Sequence, residues 1–291
     1  MNFHRLLLFL LALALSSHQA AGQISVDLRF TKTSFLNGEP IPLTVSLTNL
    51  AGRDVVFQGT RESAWIDFIV NSTRGVPLTP LGTPAFGAVK IPAGKTVAKT
   101  VDLTQLFAFR ELGNFSVYSV VRLPGQGNAG YQSRRHLFTV SSAAPYWSQV
   151  VGVPGKPGRT HEFRLIQFTG DRKNQLYAQV ADHKTGQVIR THHLGEVLMF
   201  RKPTVDIDSS LNMHVLYLIT PTFWGHVRVD PAGNFLGRDL YKPSPTGDPR
   251  LAKNSQGAIV TVGGSFYDPK AEAERQAKER KASERPAFIY E

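Results

Sequence analysis

From Ile24 onward the chain alternates. Ile24, Val26, Leu28 and Phe30 are separated by polar or charged residues, the period of two that a half-buried strand needs because successive side chains leave opposite faces of the backbone. The pattern returns at Ile41, Leu43, Val45 and Leu47 after an Asn37-Gly38 turn. Shorter runs follow at 55–57, 65–70, 95–103, 114–123 and 136–140, each bounded by Gly, Pro or Asn. About seven short strands with turn signals between them predict an antiparallel β-sandwich of immunoglobulin-like form.

Beyond it, SSAAPYWSQVVGVPGKPGRT at 141–160 is rich in Ser, Ala, Pro and Gly and reads as a linker between domains. Tyr146 and Trp147 within it are expected to pack against one domain. The second half carries a weak internal repeat. The stretches beginning at Asn174, Asn212 and Gly257 align at offsets of 38 and 45, each running strand, tight Asn/Asp/Gly turn, strand. That is the span of a propeller blade. Too few units are present to close a ring, so sheet edges must be covered by packing on the sandwich, by collapse into a second sandwich, or by chain association. Residues 270–285, KAEAERQAKERKASER, have Glu274–Lys278 and Arg275–Glu279 at i,i+4 and no apolar stripe, which predicts a solvated helix. After it, Phe288-Ile289-Tyr290 either docks on a neighbouring surface or frays.

The expected fold class is therefore all-β: an immunoglobulin-like sandwich at 23–143, the linker at 144–160, a module of blade-like meander hairpins at 161–269 and a short charged helical tail at 270–291. The opening 1–22 reads as a secretory signal peptide, with His4 and Arg5 ahead of an apolar run from Leu6 to Leu15 and small residues at Ala20 and Gly22. That run is short for a bilayer span, so no transmembrane segment is expected after cleavage. Cys is absent, which removes disulfide frameworks, thiol nucleophiles and thiolate metal sites together.

The net charge of +11 suggests nucleic acid until it is divided along the chain. Residues 23–143 hold 12 basic and 7 acidic side chains, residues 144–269 hold 14 and 10, and residues 270–291 hold 6 and 5. The excess is diffuse, and without a local basic stripe nucleic acid is not expected as a partner.

The order GEPIPLTVSLTNL, WIDFIVNSTRGVPL, IPAGKTVAKTVDLTQLFAFRELGNFSVYSVVRL resembles the immunoglobulin-like domain ahead of the catalytic domain in secreted deuterolysin-type metallopeptidases, and is similar to the bacterial proteinase-inhibitor sandwich. The unit PTVDIDSSLNMHVLYLITPTFWGHVRVDPAGNFLGRDLY resembles blades of bacterial secreted β-propellers. Both resemblances imply a fold and leave activity open.

Motifs that carry chemistry fail on context. Gly125, Gly127 and Gly130 satisfy G-x-G-x-x-G, but Pro124 precedes them and a strand pattern follows, where a dinucleotide site needs a helix; no cofactor is expected. His161-Glu162 lacks the second His of a zinc helix, since position 165 is Leu, and Gly263-Gly264-Ser265-Phe266-Tyr267 ends in Tyr where a nucleophile elbow needs Gly. Glu162, Glu196 and the turn aspartates single out no pair for glycoside cleavage. Asp206, Asp208, Ser210 and Asn212 have calcium-loop spacing, but Leu211 stands where that loop needs Gly and Tyr217 where it needs Glu. A turn held by side-chain oxygens explains the same letters.

His183, His192, His193, His214 and His226 concentrate in the repeat region. His192 and His193, adjacent on a strand, point to opposite faces. His214 lies on a strand apolar on both sides and reads as a hydrogen-bonded core histidine. Trp224, His226 and Arg228 share one strand face, an aromatic ring, an imidazole and a guanidinium suited to sugars or acidic groups; the alternative is an ordinary exposed or interdomain face. The expected function is an exported, non-catalytic binding or assembly protein of the cell envelope, secreted or periplasmic, with an envelope protein or glycan as partner and Trp224, His226, Arg228 and His214 as the binding candidates. The alternatives are a carbohydrate-active hydrolase with its site near the same residues, and proteinase inhibition by a sandwich loop.

Overall fold

The structure, a computed structural model, describes residues 24–59, 64–84, 86–123, 130–170 and 173–283. The expected signal peptide, Gly125 and Gly127 of the glycine-rich loop, and Phe288, Ile289 and Tyr290 lie outside them. The chain divides into two compact units, the first running up to Phe35 and from Pro40 to Ser141, the second comprising Leu36–Glu39 and the chain from Ser142.

Strands of the first unit are β1 (Ile24–Phe30), β2 (Ser34–Leu36, whose last residue groups with the second unit), β3 (Pro42–Asn49), β4 (Val55–Phe57), β5 (Ile66–Ser72), β6 (Val89–Ile91), β7 (Thr96–Asp102), β8 (Gly113–Arg122), β9 (Gly130–Gln132) and β10 (His136–Ser141), with one helical turn, α1, at Leu103–Leu106. They form sheets β1-β3-β7 and β2-β10-β8-β5, with β9 beside β8, and a small β4-β6 pair. The alternation along β3 places Leu43, Val45 and Leu47 inward. Facing them from the other sheet are Phe68, Val70, Phe115, Val117 and Phe138, in one continuous core. This is an immunoglobulin-like antiparallel sandwich. Its VDLT segment has a mechanical reason. The Asp102 carboxylate accepts from the N–H of Thr104, capping α1, and from the N–H of Ile41, tying the turn to the start of β3.

The second unit opens with a four-stranded meander, β11 (Trp147–Gly152), β12 (Thr160–Gly170), β13 (Lys173–Asp182) and β14 (Val188–Glu196). Part of the proline-rich stretch is thus an edge strand, with Trp147 opposite Leu165. A second meander follows, β15 (Thr204–Ile207), β16 (Met213–Thr220), β17 (Phe223–Val229) and β18 (Phe235–Lys242), then a two-stranded hairpin, β19 (Arg250–Lys253) and β20 (Ile259–Val262). β21 (Ser265–Tyr267) pairs with the end of β18, and the helix α2 (Pro269–Ser283) closes the described chain. The aligned repeats correspond to successive blade-like units: a sheet, a sheet and a half-length hairpin.

These units stack through hydrophobic layers. Phe163, Leu165, Leu176, Ala178 and Val180 of the first meander share a core with Met213, Val215, Tyr217, Val227 and Val229 of the second. On the opposite face of the second meander, Leu216, Leu218 and Trp224 form another cluster with Leu198, Tyr241 and Leu251. The second sheet is therefore buried on both sides, which is why six successive residues of β16, Met213 to Leu218, are buried.

One turn recurs at the hairpin tips. In 208–212, 230–234 and 254–258 the first side chain accepts from the N–H of the fifth residue, at 2.8, 2.7 and 2.9 Å from Asp208, Asp230 and Asn254. The fourth residue is left-handed in each, Leu211 (φ 65), Gly233 (φ 86) and Gly257 (φ 78). The calcium-like spacing at 206–212 is thus accounted for by a hairpin turn, with Asp208 bound to Asn212 through both carboxylate oxygens.

Candidate functional site

The register of the second sheet sets the site. β17 lies between β16 and β18, so His226 faces Leu216 on one side and Asp239 on the other, Arg228 faces His214 and Gly237, and Trp224 faces Leu218 and Tyr241. Trp224, His226 and Arg228 do share a face, and His214 joins them from the neighbouring strand. That face is largely covered. His214 is 5% exposed, His226 4% and Trp224 6%, with Leu251 of the β19–β20 hairpin packed on the cluster.

The two histidines form the centre of a hydrogen-bonded chain. Asp208 Oδ2 lies 3.1 Å from His214 Nε2, His214 Nδ1 lies 2.9 Å from His226 Nε2, and His226 Nδ1 lies 3.1 Å from Thr261 Oγ1 on β20. The proton positions follow from the first link. Burial raises the Asp208 carboxyl, but hydrogen bonds from Asn212 and His214 outweigh it, so its pKa is lowered and it is an acceptor. His214 then donates from Nε2 and accepts at Nδ1 from His226 Nε2–H, and His226 Nδ1 accepts from the Thr261 hydroxyl. Burial, the adjacent His214 and Arg228 push His226 down to about 4, against an opposing pull from Asp239. His226 is held neutral.

Arg228 is only partly buried and makes an ion pair with Asp239 at 3.1 Å. Toward the β21 edge the face changes character. Trp224, Tyr241 and Phe266 stand abreast on β17, β18 and β21, with the Tyr241 and Phe266 rings edge-to-face at 5.8 Å. Exposure rises along the row to 64% at Phe266. The Arg201 guanidinium lies 6.0 Å from the Trp224 ring centre and pairs with Asp248 at 2.7 Å.

The remaining histidines of this half are spread among separate partners. His161 Nδ1 is 2.6 Å from the Pro231 carbonyl and His192 Nε2 is 2.8 Å from that of Gly233, so two residues of the first meander grip the 230–234 turn of the second. His193 bonds Gln175. Among the described residues no group of three or more His, Asp or Glu is arranged to hold a metal ion.

Sequence reasoning brought together His214, Trp224, His226 and Arg228. It missed Asp208 as the partner of His214, Thr261 as the end of the chain, and the row continuing through Tyr241 to Phe266. The alternation of β17 was visible in the letters; the cross-strand register and the hairpin that covers the face were not.

No protein-family model matches the chain, and no curated protein matches it. The resemblances therefore hold at the level of architecture: a sandwich, then small antiparallel sheets in a propeller-like arrangement with a short terminal helix.

Proposed function

We propose that this is an exported, non-catalytic binding or assembly component of the cell envelope, and that its contact surface is the aromatic end of the second sheet. The observation supporting this reading is the row Trp224–Tyr241–Phe266, which runs from a buried anchor, with the Arg201–Asp248 pair beside it, to an exposed ring. Aromatic faces take the apolar face of a sugar, and guanidinium and carboxylate groups take its hydroxyls, so an envelope glycan is the favoured ligand. A non-catalytic role is supported by the employment of the histidines: His161, His192, His214 and His226 all bond groups that hold turns and sheets together.

Binding of the purified protein to peptidoglycan fragments and envelope glycans tests the reading. Measurable binding that weakens at least tenfold in Phe266→Ala is the expected result. Carbohydrate turnover abolished by His226→Ala in a folded protein would instead establish the hydrolase alternative. Kinship of the first unit with metallopeptidase leader domains or proteinase inhibitors rests on its motifs and sandwich form, and incubation with a panel of proteases tests the inhibitory role.

A further inference from the structure

The β19–β20 hairpin is the least anchored sheet of the second unit. It has two strands of four residues each, paired only with one another, and a lone two-stranded hairpin is marginal in water. Its position depends on Leu251 packing and on four polar ties: Thr261 Oγ1 to His226 Nδ1 at 3.1 Å, Lys253 Nζ to the Ile207 carbonyl at 3.3 Å, the N–H of Ser209 to the Gly257 carbonyl at 3.0 Å, and the Ser209 hydroxyl to the Gln256 carbonyl at 3.5 Å. One of these ends on a buried imidazole pair.

We propose that the chain Asp208–His214–His226–Thr261 is an acid-opened latch that releases the Arg250–Val262 hairpin and uncovers Leu216, Leu218 and Trp224 beneath it. One added proton is accommodated: His214 becomes an imidazolium donating to Asp208 and to His226 Nε2, while His226 shifts its own proton to Nδ1 and donates to the Thr261 oxygen. A second is not. Two imidazoliums would then meet N–H to N–H across 2.9 Å, neither able to accept, and swinging the hairpin away lets water solvate the charge.

Among the surrounding groups the cations favour the same outcome, and the carboxylates that oppose it are each engaged with other partners. Arg228 on β17 adds positive charge, and Asp239 on β18, opposite His226 in register, is held by Arg228 at 3.1 Å. Asp206 on β15 stands opposite His214 and accepts from the N–H of Ile207. Asp208 is committed to Asn212 and His214, Tyr241 presents a neutral ring 6.5 Å from that of His226, and the hairpin itself brings the cation Lys253.

The sign is fixed by His226, lowered from 6.5 in free solution to about 4 in the closed state. The closed hairpin is fully favoured above 6.5 and loses its advantage as pH falls from there through 4. With those two values the opening equilibrium should rise roughly ten- to thirtyfold between pH 7.5 and 5.

Hydrogen exchange of the full chain, expressed as protection factors at pH 7.5 and 5, tests this without any ligand, so its result is independent of the glycan reading. Amides of 250–262 are expected to lose ten- to thirtyfold protection at pH 5 while those of β12, β13 and β16 keep theirs, and His226→Gln should abolish most of that pH dependence. Unchanged protection of the hairpin, a loss shared equally by β12 and β13, or full pH dependence in His226→Gln would overturn the latch. Should His226→Gln not fold, Thr261→Val decides: severalfold faster exchange of 250–262 at pH 7.5 supports the latch, and unchanged exchange refutes it.

Discussion

Leu211 holds φ 65 in a turn whose counterparts at the same position are Gly233 and Gly257. A side chain in the left-handed region costs about 1–2 kcal/mol, and Leu211 recovers part of that by packing against the core between the two meanders. Strain and packing nearly cancel there, so Leu211→Gly should change stability by under about 1 kcal/mol in either direction. Gly233 has no such compensation, because a Cβ would stand 3.3 Å from that of Arg190; Gly233→Ala should cost about 1–3 kcal/mol. Urea denaturation of the two variants distinguishes these outcomes. The turn letters at 206–212 were legible as a side-chain-stabilised turn, since Leu at the glycine position argued against a cation loop. The bond from Asp208 to His214 was not, because it exists only once the turn folds the chain back on itself and brings position 208 beside position 214.

At the scale of elements, the strands whose faces differ were the easiest to read. β3 alternates in letters and in burial alike, and β16, apolar on both sides, proves buried on both sides. β11 was obscured by Pro, Gly and Ser around it, and its edge position explains why it tolerates them: with one strand neighbour, β12, it needs fewer ladder bonds and buries less. α2 follows its charge pattern. Asp268 accepts from the N–H groups of Lys270 and Ala271 at its start, and Arg275 pairs with Glu272 at 2.8 Å and Glu279 at 4.0 Å. Its described side chains from Ala271 to Glu279 are exposed except for partly covered Glu272, so it adds almost no apolar burial. Breaking the helix with Ala277→Pro should therefore shift the thermal midpoint by less than about 3 °C, a change under about 1 kcal/mol for units of this size; calorimetry of the variant checks it.

For the whole molecule, the all-β class was legible from the run of period-two strands and the repeat of hairpins, and the diffuse charge followed from counting. Site burial was not legible. A strand face carrying Trp224, His226 and Arg228 looks the same in sequence whether water or another hairpin covers it, and here the cover comes from residues some distance further along the chain, at 250–262. The layering of the second unit makes this face interior, so His214 and His226 serve its cohesion, and the proposed recognition falls to the open aromatic end. Long-range proton–nitrogen spectra of the histidine side chains in the intact protein test that division most directly. Both rings should carry a proton at Nε2 at pH 7, and His226 should be neutral there and titrate only near pH 4. A His226 ring that exchanges freely with water and titrates between pH 6 and 7, as an accessible acid–base group does, would contradict it.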